Sequence, residues 1–189
     1  MPNTKPALIV QHPLLKIARI AVETYVRDHV IMPVPFALPD DQATPQGAFV
    51  SIVVHKELRG SVGTVRPTQP TLAGEVIHNA IAAAVRDPRF SPVRATELAD
   101  LNYIIDLVEE LESIAGAAQL DPAQYGVVVR AGRRMGVVLP QISAVNTIGA
   151  QLELALRKAG IDSAEHYRLE RFCVQRLVPA SGDYQQTVS

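Results

Sequence analysis

The stretch YGVVVRAGRRMGVVLP, residues 125–140, predicts a β-hairpin. Its valine-rich runs, 127–129 and 137–139, flank a turn that contains glycine. Two further β-rich runs, residues 48–54 and 58–65, are close enough to form a second hairpin with Lys56 and Glu57 at its tip. Strands that arrive as hairpins, instead of singly between helices, favour an α+β fold. We therefore expect a largely antiparallel sheet with flanking helices.

Helical periodicity predicts three longer helices around these strands. Pro13 begins the first, which runs to about Asp28. Thr71 caps the second, and Pro88 ends it because the residue before a proline avoids helical geometry. The third ends at Gly160, a residue type common just after a helix. Its apolar stripe is predicted to consist of Val145, Ile148, Leu152 and Leu156.

The remaining segments are predicted to be strands or loops. Residues 32–47 contain four prolines and no sustained period, which indicates a connecting loop. Residues 102–114 and 165–178 each predict one strand, with Cys173 a small buried residue of the second. Both chain termini are expected to be flexible.

Composition limits the classes of function. The 189 residues, 48% of them apolar, suffice for one domain over residues 1–189, or one domain with a smaller lobe. The formal charge of -1 disfavours general nucleic-acid binding. The single cysteine excludes an internal disulfide framework and multi-cysteine metal sites, and the histidines show no metal-ligand spacing, so no metal or cofactor is predicted. Without a signal segment or a run of roughly 20 apolar residues, a soluble cytoplasmic protein is expected.

The stretch ELRGSVGT, residues 57–64, carries the first candidate site. In a strand, Arg59, Ser61 and Gly63 share one face. A two- or four-residue loop would pair Val54 with Arg59 and Ile52 with Ser61, whereas an odd loop would reverse the faces. An arginine among aliphatic side chains needs an anionic partner. Either a carboxylate or phosphate ligand fills that role, or an internal carboxylate does so and the arginine braces the hairpin.

The stretch AVRDPRF, residues 84–90, is the second candidate. Arg86 and Arg89 bracket Asp87 where a helix ends, which is typical either of an anion or partner site or of charges that pair locally at a helix stop. His78 lies on a polar edge of the same helix. In an enzyme, Ser61, Asp87 or His78 would perform acid, base or nucleophilic chemistry, and Ser61 would be a nucleophile only if a base stood beside it. The least favoured alternative is a nucleic-acid contact through the basic tip of the 125–140 hairpin, which contains Arg130, Arg133 and Arg134.

Three separated stretches carry a family resemblance. ELRGSVGT, AIAAAVRDPRF (residues 80–90) and LDPAQYGVVVRAGRRMGVVLPQ (residues 120–141) resemble the AMMECR domain family in that order, over roughly residues 14–178. The resemblance implies an α+β fold with a main lobe and a smaller lobe, and no settled reaction. The family's hairpin commonly reads L-R-G-C-I-G-T, so Ser61 stands where cysteine is usual. Binding by hydrogen bonds survives this exchange better than thiol chemistry does.

The resemblance also implies partners. Relatives in bacteria and archaea are associated with Memo-family proteins, which are similar to extradiol dioxygenases, and with radical-SAM proteins. We therefore predict a binding or accessory module with a polar pocket for a small anion or an acidic partner segment, and an enzyme using the same pocket as the alternative. The predicted ligand-binding residues are Arg59, Gly60, Ser61, Gly63, Thr64, Arg86, Asp87 and Arg89.

Overall fold

The computed structural model describes residues 12–179, which form helices around two antiparallel sheets. The expected flexibility of the termini concerns residues that lie almost entirely outside this range. The helices are α1 (Pro13–Asp28), α2 (Asp40–Ala43), α3 (Leu72–Val85) and α4 (Ile148–Ala159), with 3₁₀ helices at Ala95–Asp100 and Ala117–Gln119. The strands are β1 (Ala48–Val54), β2 (Glu57–Gly63), β3 (Asn102–Val108), β4 (Glu112–Ile114), β5 (Gly126–Ala131), β6 (Arg134–Val138), β7 (Arg168–Phe172) and β8 (Val174–Leu177).

The two sheets build two lobes, each with its own apolar core. In the first lobe, the sheet has the order β2-β1-β3-β8, and α1 and α3 bury their apolar faces against it. In the second lobe, the sheet has the order β4-β7-β5-β6, and α4 packs on β5 and β6. All strand pairs are antiparallel, so the α+β prediction is confirmed.

Two segments were each predicted to form a single strand, and this prediction was wrong. Each segment forms two strands, one in each sheet. Residues 102–114 divide into β3 and β4, and residues 165–178 divide into β7 and β8. The breaks lie side by side, because the amide of Glu109 donates to the carbonyl of Cys173 over 3.0 Å. Cys173 is half-buried between two strands instead of buried within one. Exposed Glu109 and Glu110 interrupt the apolar run, which lets the chain leave one sheet for the other.

The β1–β2 hairpin also differs from its prediction. Its tip is formed by His55 and Lys56, whose φ angles of 50° and 72° are those of a tight two-residue turn. A bulge follows, since Val53 pairs with Leu58 but Ile52 pairs with Gly60, leaving Arg59 as the extra residue. Ser61 therefore lies opposite Ser51 instead of Ile52.

The long helices begin and end close to the predicted positions. Thr71 Oγ1 accepts the amide of Gly74 at the start of α3, and Gly160 ends α4 in the left-handed conformation. The predicted stripe of α4 was only partly right, because Leu156 is buried but Val145 precedes the helix. The residues that α4 buries are Gln151, Leu154, Ala155, Leu156 and Ala159.

Short helix α2 lies within the segment that was predicted to be a loop throughout. Asp40 and Asp41 occupy its first turn, where carboxylates are favourable. Across residues 12–179, no helix combines the length and the apolar character needed to cross a membrane.

Candidate functional site

A polar groove of about 550 Å³ lies between the two lobes. We call it the interlobe groove. Its first wall comes from β2 and the end of α3, and its second wall comes from α4 and the loop before it. The polar residues that line it are Ser61, Asp87 and Arg89 on the first wall and Glu153, Arg157 and Lys158 on the second.

Asp87 organises the first wall. Its side chain is 3% exposed, and Oδ2 accepts the amide of Ser61 at 2.8 Å and Nη2 of Arg89 at 2.8 Å. Oδ1 accepts Nε and the amide of Arg89, each at 3.0 Å. Burial raises the pKa of Asp87, but these hydrogen bonds bring it below its usual value. Asp87 is therefore an ionised anchor that fastens the end of α3 to β2.

Arg59 does not line the interlobe groove. Its Nε donates to Oε2 of Glu97 at 2.9 Å, its Nη2 to Oε1 at 3.2 Å, and its Nη1 to the carbonyl of Ser91 at 3.0 Å. The guanidinium lowers the pKa of Glu97 below its usual value. This geometry corresponds to the bracing alternative, in which an internal carboxylate neutralises the arginine. Glu97 was not a candidate in the sequence, because it lies 38 residues away.

The two glycines of the predicted site have packing roles. A Cβ at Gly60 would overlap the carbonyl oxygen of Ala83, so glycine lets α3 approach β2 closely. A Cβ at Gly63 would overlap the ring of Phe49. Neither glycine lines the interlobe groove.

Thr64 belongs to a separate buried cluster centred on Glu75. The Thr64 hydroxyl donates to Oε1 of Glu75 at 2.6 Å, and the amides of Thr68 and Gln69 donate to Oε2 at 2.7 and 2.8 Å. Glu75 is fully buried. Burial raises its pKa, but the hydrogen bonds lower it below its usual value. The signal in the sequence was a glutamate inside a strongly apolar helix.

The candidates for proton transfer are only partly brought together. Ser61 Oγ lies 2.9 Å from Ser51 Oγ, and the Asp87 carboxylate binds the amide of Ser61. His78 is exposed, its Nδ1 donates to the carbonyl of Gly74 over 2.9 Å, and it lies outside the groove lining. Arg86 ends α3, is exposed, and does not line the groove either.

The second wall adds cations that sequence reasoning had assigned only to the end of a helix. Arg157 forms an exposed pair with Glu153 at 3.9 Å, and Nζ of Lys158 lies 3.4 Å from the carbonyl of Val137. Desolvation and the charges of Arg89 and Arg157 lower the pKa of Lys158. Arg89 is engaged by Asp87, so Lys158 is the cation best placed to receive an anion in the groove.

The basic tip of the β5–β6 hairpin is partly neutralised. Arg134 donates to Glu165 and to the carbonyl of Gly160, and Arg130 lies 3.9 Å from Glu170. These pairs reduce the positive field that a nucleic-acid contact would need.

The fold and the groove define a class of protein: an α+β chain of two sheets with a polar cleft between its lobes. The AMMECR1 family model matches residues 15–177, so the chain belongs to the AMMECR1 family. A Thermotoga maritima protein is 41% identical over 177 residues, which cover 89% of this chain and 99% of that protein. A Clostridium acetobutylicum protein is 41% identical over 166 residues, but the match covers 87% of this chain and only 35% of that longer protein.

A solved structure has the same fold. The crystal structure of an uncharacterized protein from Pyrococcus horikoshii matches with a TM-score of 0.80 and 26% identity. The match covers 86% of this chain and 88% of that chain. The two-lobed architecture is therefore common to both proteins.

Proposed function

We propose that this AMMECR1-family protein is a binding module whose interlobe groove holds a small anion or an acidic segment of a partner protein. Lys158 and Arg157 would contact the anion from the second wall, and Ser61 would donate a hydrogen bond from the first. The observation that carries the proposal is that Lys158 of α4 and Ser61 of β2 line one groove, although they lie far apart in the chain.

The charges around Lys158 favour an anionic ligand. The described groove-lining residues include three cations, Arg89, Arg157 and Lys158, and two carboxylates, Asp87 and Glu153. The carboxylate of Asp87 is already engaged by Arg89 and by an amide. The lowered pKa of Lys158 reflects repulsion from the neighbouring cations as well as desolvation. An anion bound beside Lys158 would relieve that repulsion and raise its pKa again.

We favour binding over the enzymatic alternative because of the side chains around Ser61. The nearest carboxylate, Asp87, is held ionised by Arg89 and contacts the amide of Ser61 instead of its hydroxyl. A serine nucleophile needs a base that accepts the hydroxyl proton. A hydroxyl that donates a hydrogen bond to a bound anion needs no such base.

Isothermal titration calorimetry with inorganic phosphate, citrate and a glutamate-rich peptide tests this proposal. We expect Lys158→Gln to weaken binding of the preferred ligand by about tenfold, because one charge-assisted hydrogen bond is lost. Lys16→Gln, on the exposed side of α1, is the charge-matched control and should bind as the unmodified protein does. Equal affinities for the two variants, or no binding of any of the three probes, would overturn the proposal.

The Memo-like protein and the radical-SAM protein implied by the family resemblance are the partners we propose for the acidic-segment alternative. Size-exclusion chromatography of the purified proteins, alone and mixed, tests each association. If a partner segment docks in the interlobe groove, Lys158→Gln should weaken the complex and added salt should dissociate it. A complex that is insensitive to both would dock elsewhere on the molecule.

A further inference from the structure

A second pocket, of about 500 Å³, lies on the other side of the loop that follows β6. We call it the Arg176 pocket. Its polar lining residues are Asp121, Gln141, Ser143, Asn146 and Arg176, and Val145 lines both this pocket and the interlobe groove. The family-typical stretch that ends in Leu139, Pro140 and Gln141 thus borders a cavity that the proposed function does not use.

Arg176 has unused hydrogen-bonding capacity. Its Nε donates to Oδ1 of Asp106 at 2.6 Å, directly across the β3–β8 pair. Its Nη1 and Nη2 lie 3.5 Å from Gln141 Oε1 and 3.4 Å from the carbonyl of Pro140, at the long limit for hydrogen bonds. One edge of the guanidinium is therefore fixed, while the donors of the other edge are only weakly engaged.

The partner that fixes Arg176 is itself incompletely satisfied. Asp106 is fully buried, and its Oδ2 has no hydrogen-bond partner within residues 12–179. A carboxylate bonded through one oxygen occupies one donor of the guanidinium, whereas a bidentate pair would occupy two. The remaining donors of Arg176 can therefore bind a second carboxylate at its free edge.

Gln141 has a strained backbone at the same position. Its φ of 58° lies in the left-handed region, which is unfavourable for residues other than glycine. The other non-glycine residues with positive φ in the described chain lie at a helix end, His29, or at a hairpin tip, His55 and Lys56. Gln141 lies at neither, and this conformation brings its side-chain oxygen next to Arg176. Strain of this kind is typical of positions that orient a side chain toward a ligand.

The charges of the pocket define the ligand. Of its described lining residues, Arg176 supplies the positive charge and Asp121 a negative one. Oδ1 of Asp121 accepts the amide of Ala123 at 2.9 Å, which fixes the carboxylate at the pocket wall. A polyanion such as phosphate would be repelled by Asp121. A molecule with both a carboxylate and an ammonium group would match Arg176 and Asp121 together.

We propose that the Arg176 pocket binds a zwitterionic ligand of the amino-acid class. The ligand's carboxylate pairs with the free edge of the Arg176 guanidinium, its ammonium group pairs with Asp121, and the side-chain amides of Gln141 and Asn146 hydrogen-bond the rest. The planar fork of an arginine suits a carboxylate because two parallel hydrogen bonds can form. This site shares Val145 with the interlobe groove, but none of its proposed polar contacts belongs to the groove or to its proposed function.

The test is titration of the ¹⁵N-labelled protein with the proteinogenic L-amino acids, one at a time, followed by NMR. We expect at least one of them to shift the amide signals of Gln141, Ser143 and Asn146. Each amino acid that binds is then compared with its N-acetyl derivative, which lacks the ammonium group, and with its carboxamide, which lacks the carboxylate. Both derivatives should bind more weakly by a factor of about ten or more, because each loses one charge-assisted contact.

Two variants keep the fold while removing one contact each. Asp121→Asn retains the oxygen that accepts the Ala123 amide but loses the charge, and should weaken binding of the free amino acid about tenfold. Gln141→Gly relieves the unfavourable φ, so it should raise the melting temperature while weakening binding. Lys16→Gln, on the exposed side of α1, should leave binding unchanged. Failure of every amino acid to bind, undiminished binding by Asp121→Asn, or loss of binding in Lys16→Gln would overturn the proposal.

Discussion

Arg59 and Asp87 each carry their charge in an internal ion pair. Arg59 binds Glu97 through two donors, and Asp87 binds Arg89 through both oxygens. The segment after α3 is fastened to β2 by two contacts, Arg59 with Glu97 and the amide of Ser61 with Asp87. A charge near a groove is therefore available to a ligand only where its internal partners leave donors weakly engaged, as at Lys158 and Arg176.

Acid should destabilise the protein through Glu75, whose buried carboxylate accepts hydrogen bonds from Thr64, Thr68 and Gln69. Its pKa in the folded state lies below the ordinary 4.5, so the unfolded state binds protons more readily. The stabilisation is complete above pH 4.5 and is lost as the pH falls through the folded-state value. We expect the free energy of unfolding, measured by urea denaturation, to decrease over this acid range.

Glu75→Gln isolates this contribution. The variant should be less stable than the unmodified protein at neutral pH, and the difference should shrink as the pH falls below 4.5. Glu57→Gln, an exposed position on β2, serves as the control and should show neither effect. A difference for Glu75→Gln that stays constant with pH would contradict this account.

Each long hairpin packs against a helix at a glycine. Gly60 of β2 lies under Ala83 of α3, and Gly136 of β6 lies under Ala155 of α4, so that a Cβ at either glycine would overlap the helix backbone. Contact between a strand and a helix backbone at this separation excludes every side chain larger than hydrogen. The two lobes thus use one packing arrangement, although their strand orders differ.

Replacing either glycine should move a helix away from its sheet. We expect Gly60→Ala and Gly136→Ala each to lower the unfolding free energy by about 1–3 kcal/mol, the usual cost of overpacking. Chemical denaturation measures the change. Gly149→Ala is the matched control, because a Cβ there meets nothing within 4 Å and alanine suits the first turn of α4. Stability equal to that of the control would show that the helices can shift freely.

Two chain segments join the lobes across the whole molecule. Residues 102–114 and 165–178 run antiparallel to each other, contribute one strand apiece to each sheet, and are connected at their breaks through Glu109 and Cys173. The interlobe groove exists because α3 and α4 cover the two sheets separately and leave polar side chains between their ends. Because these two chain segments run through both lobes, damage to one core should reach the other.

Phe172→Ala tests that coupling. Phe172 is 1% exposed in the second core, one residue before the break at Cys173, and its removal should cost about 3–5 kcal/mol. Native-state hydrogen exchange should then accelerate in β3 of the first lobe as well as in β5 of the second. Acceleration confined to β5 would mean that the lobes unfold independently.

The sequence by itself determined the local elements. Helices 13–28 and 72–85 and the hairpin after residue 125 follow from apolar periodicity, a proline at a helix start, a threonine cap and glycine turns. All of these act over a few residues, so the local chain contains the information needed to predict them. The α+β class and the AMMECR1 family followed from the same stretches.

Only the tertiary structure decided which charges meet. The sequence left open whether Arg59 binds a ligand or an internal carboxylate. The packing of residues 91–97 against β2 places Glu97 beside it. Ser61 and Lys158 come from different lobes, and their placement in one groove depends on how the two sheets are joined. Periodicity specifies which face of an element is apolar, but it does not specify the distant partner that the face meets. Ion pairs, bulges and strand breaks therefore became known only when the sheets were assembled.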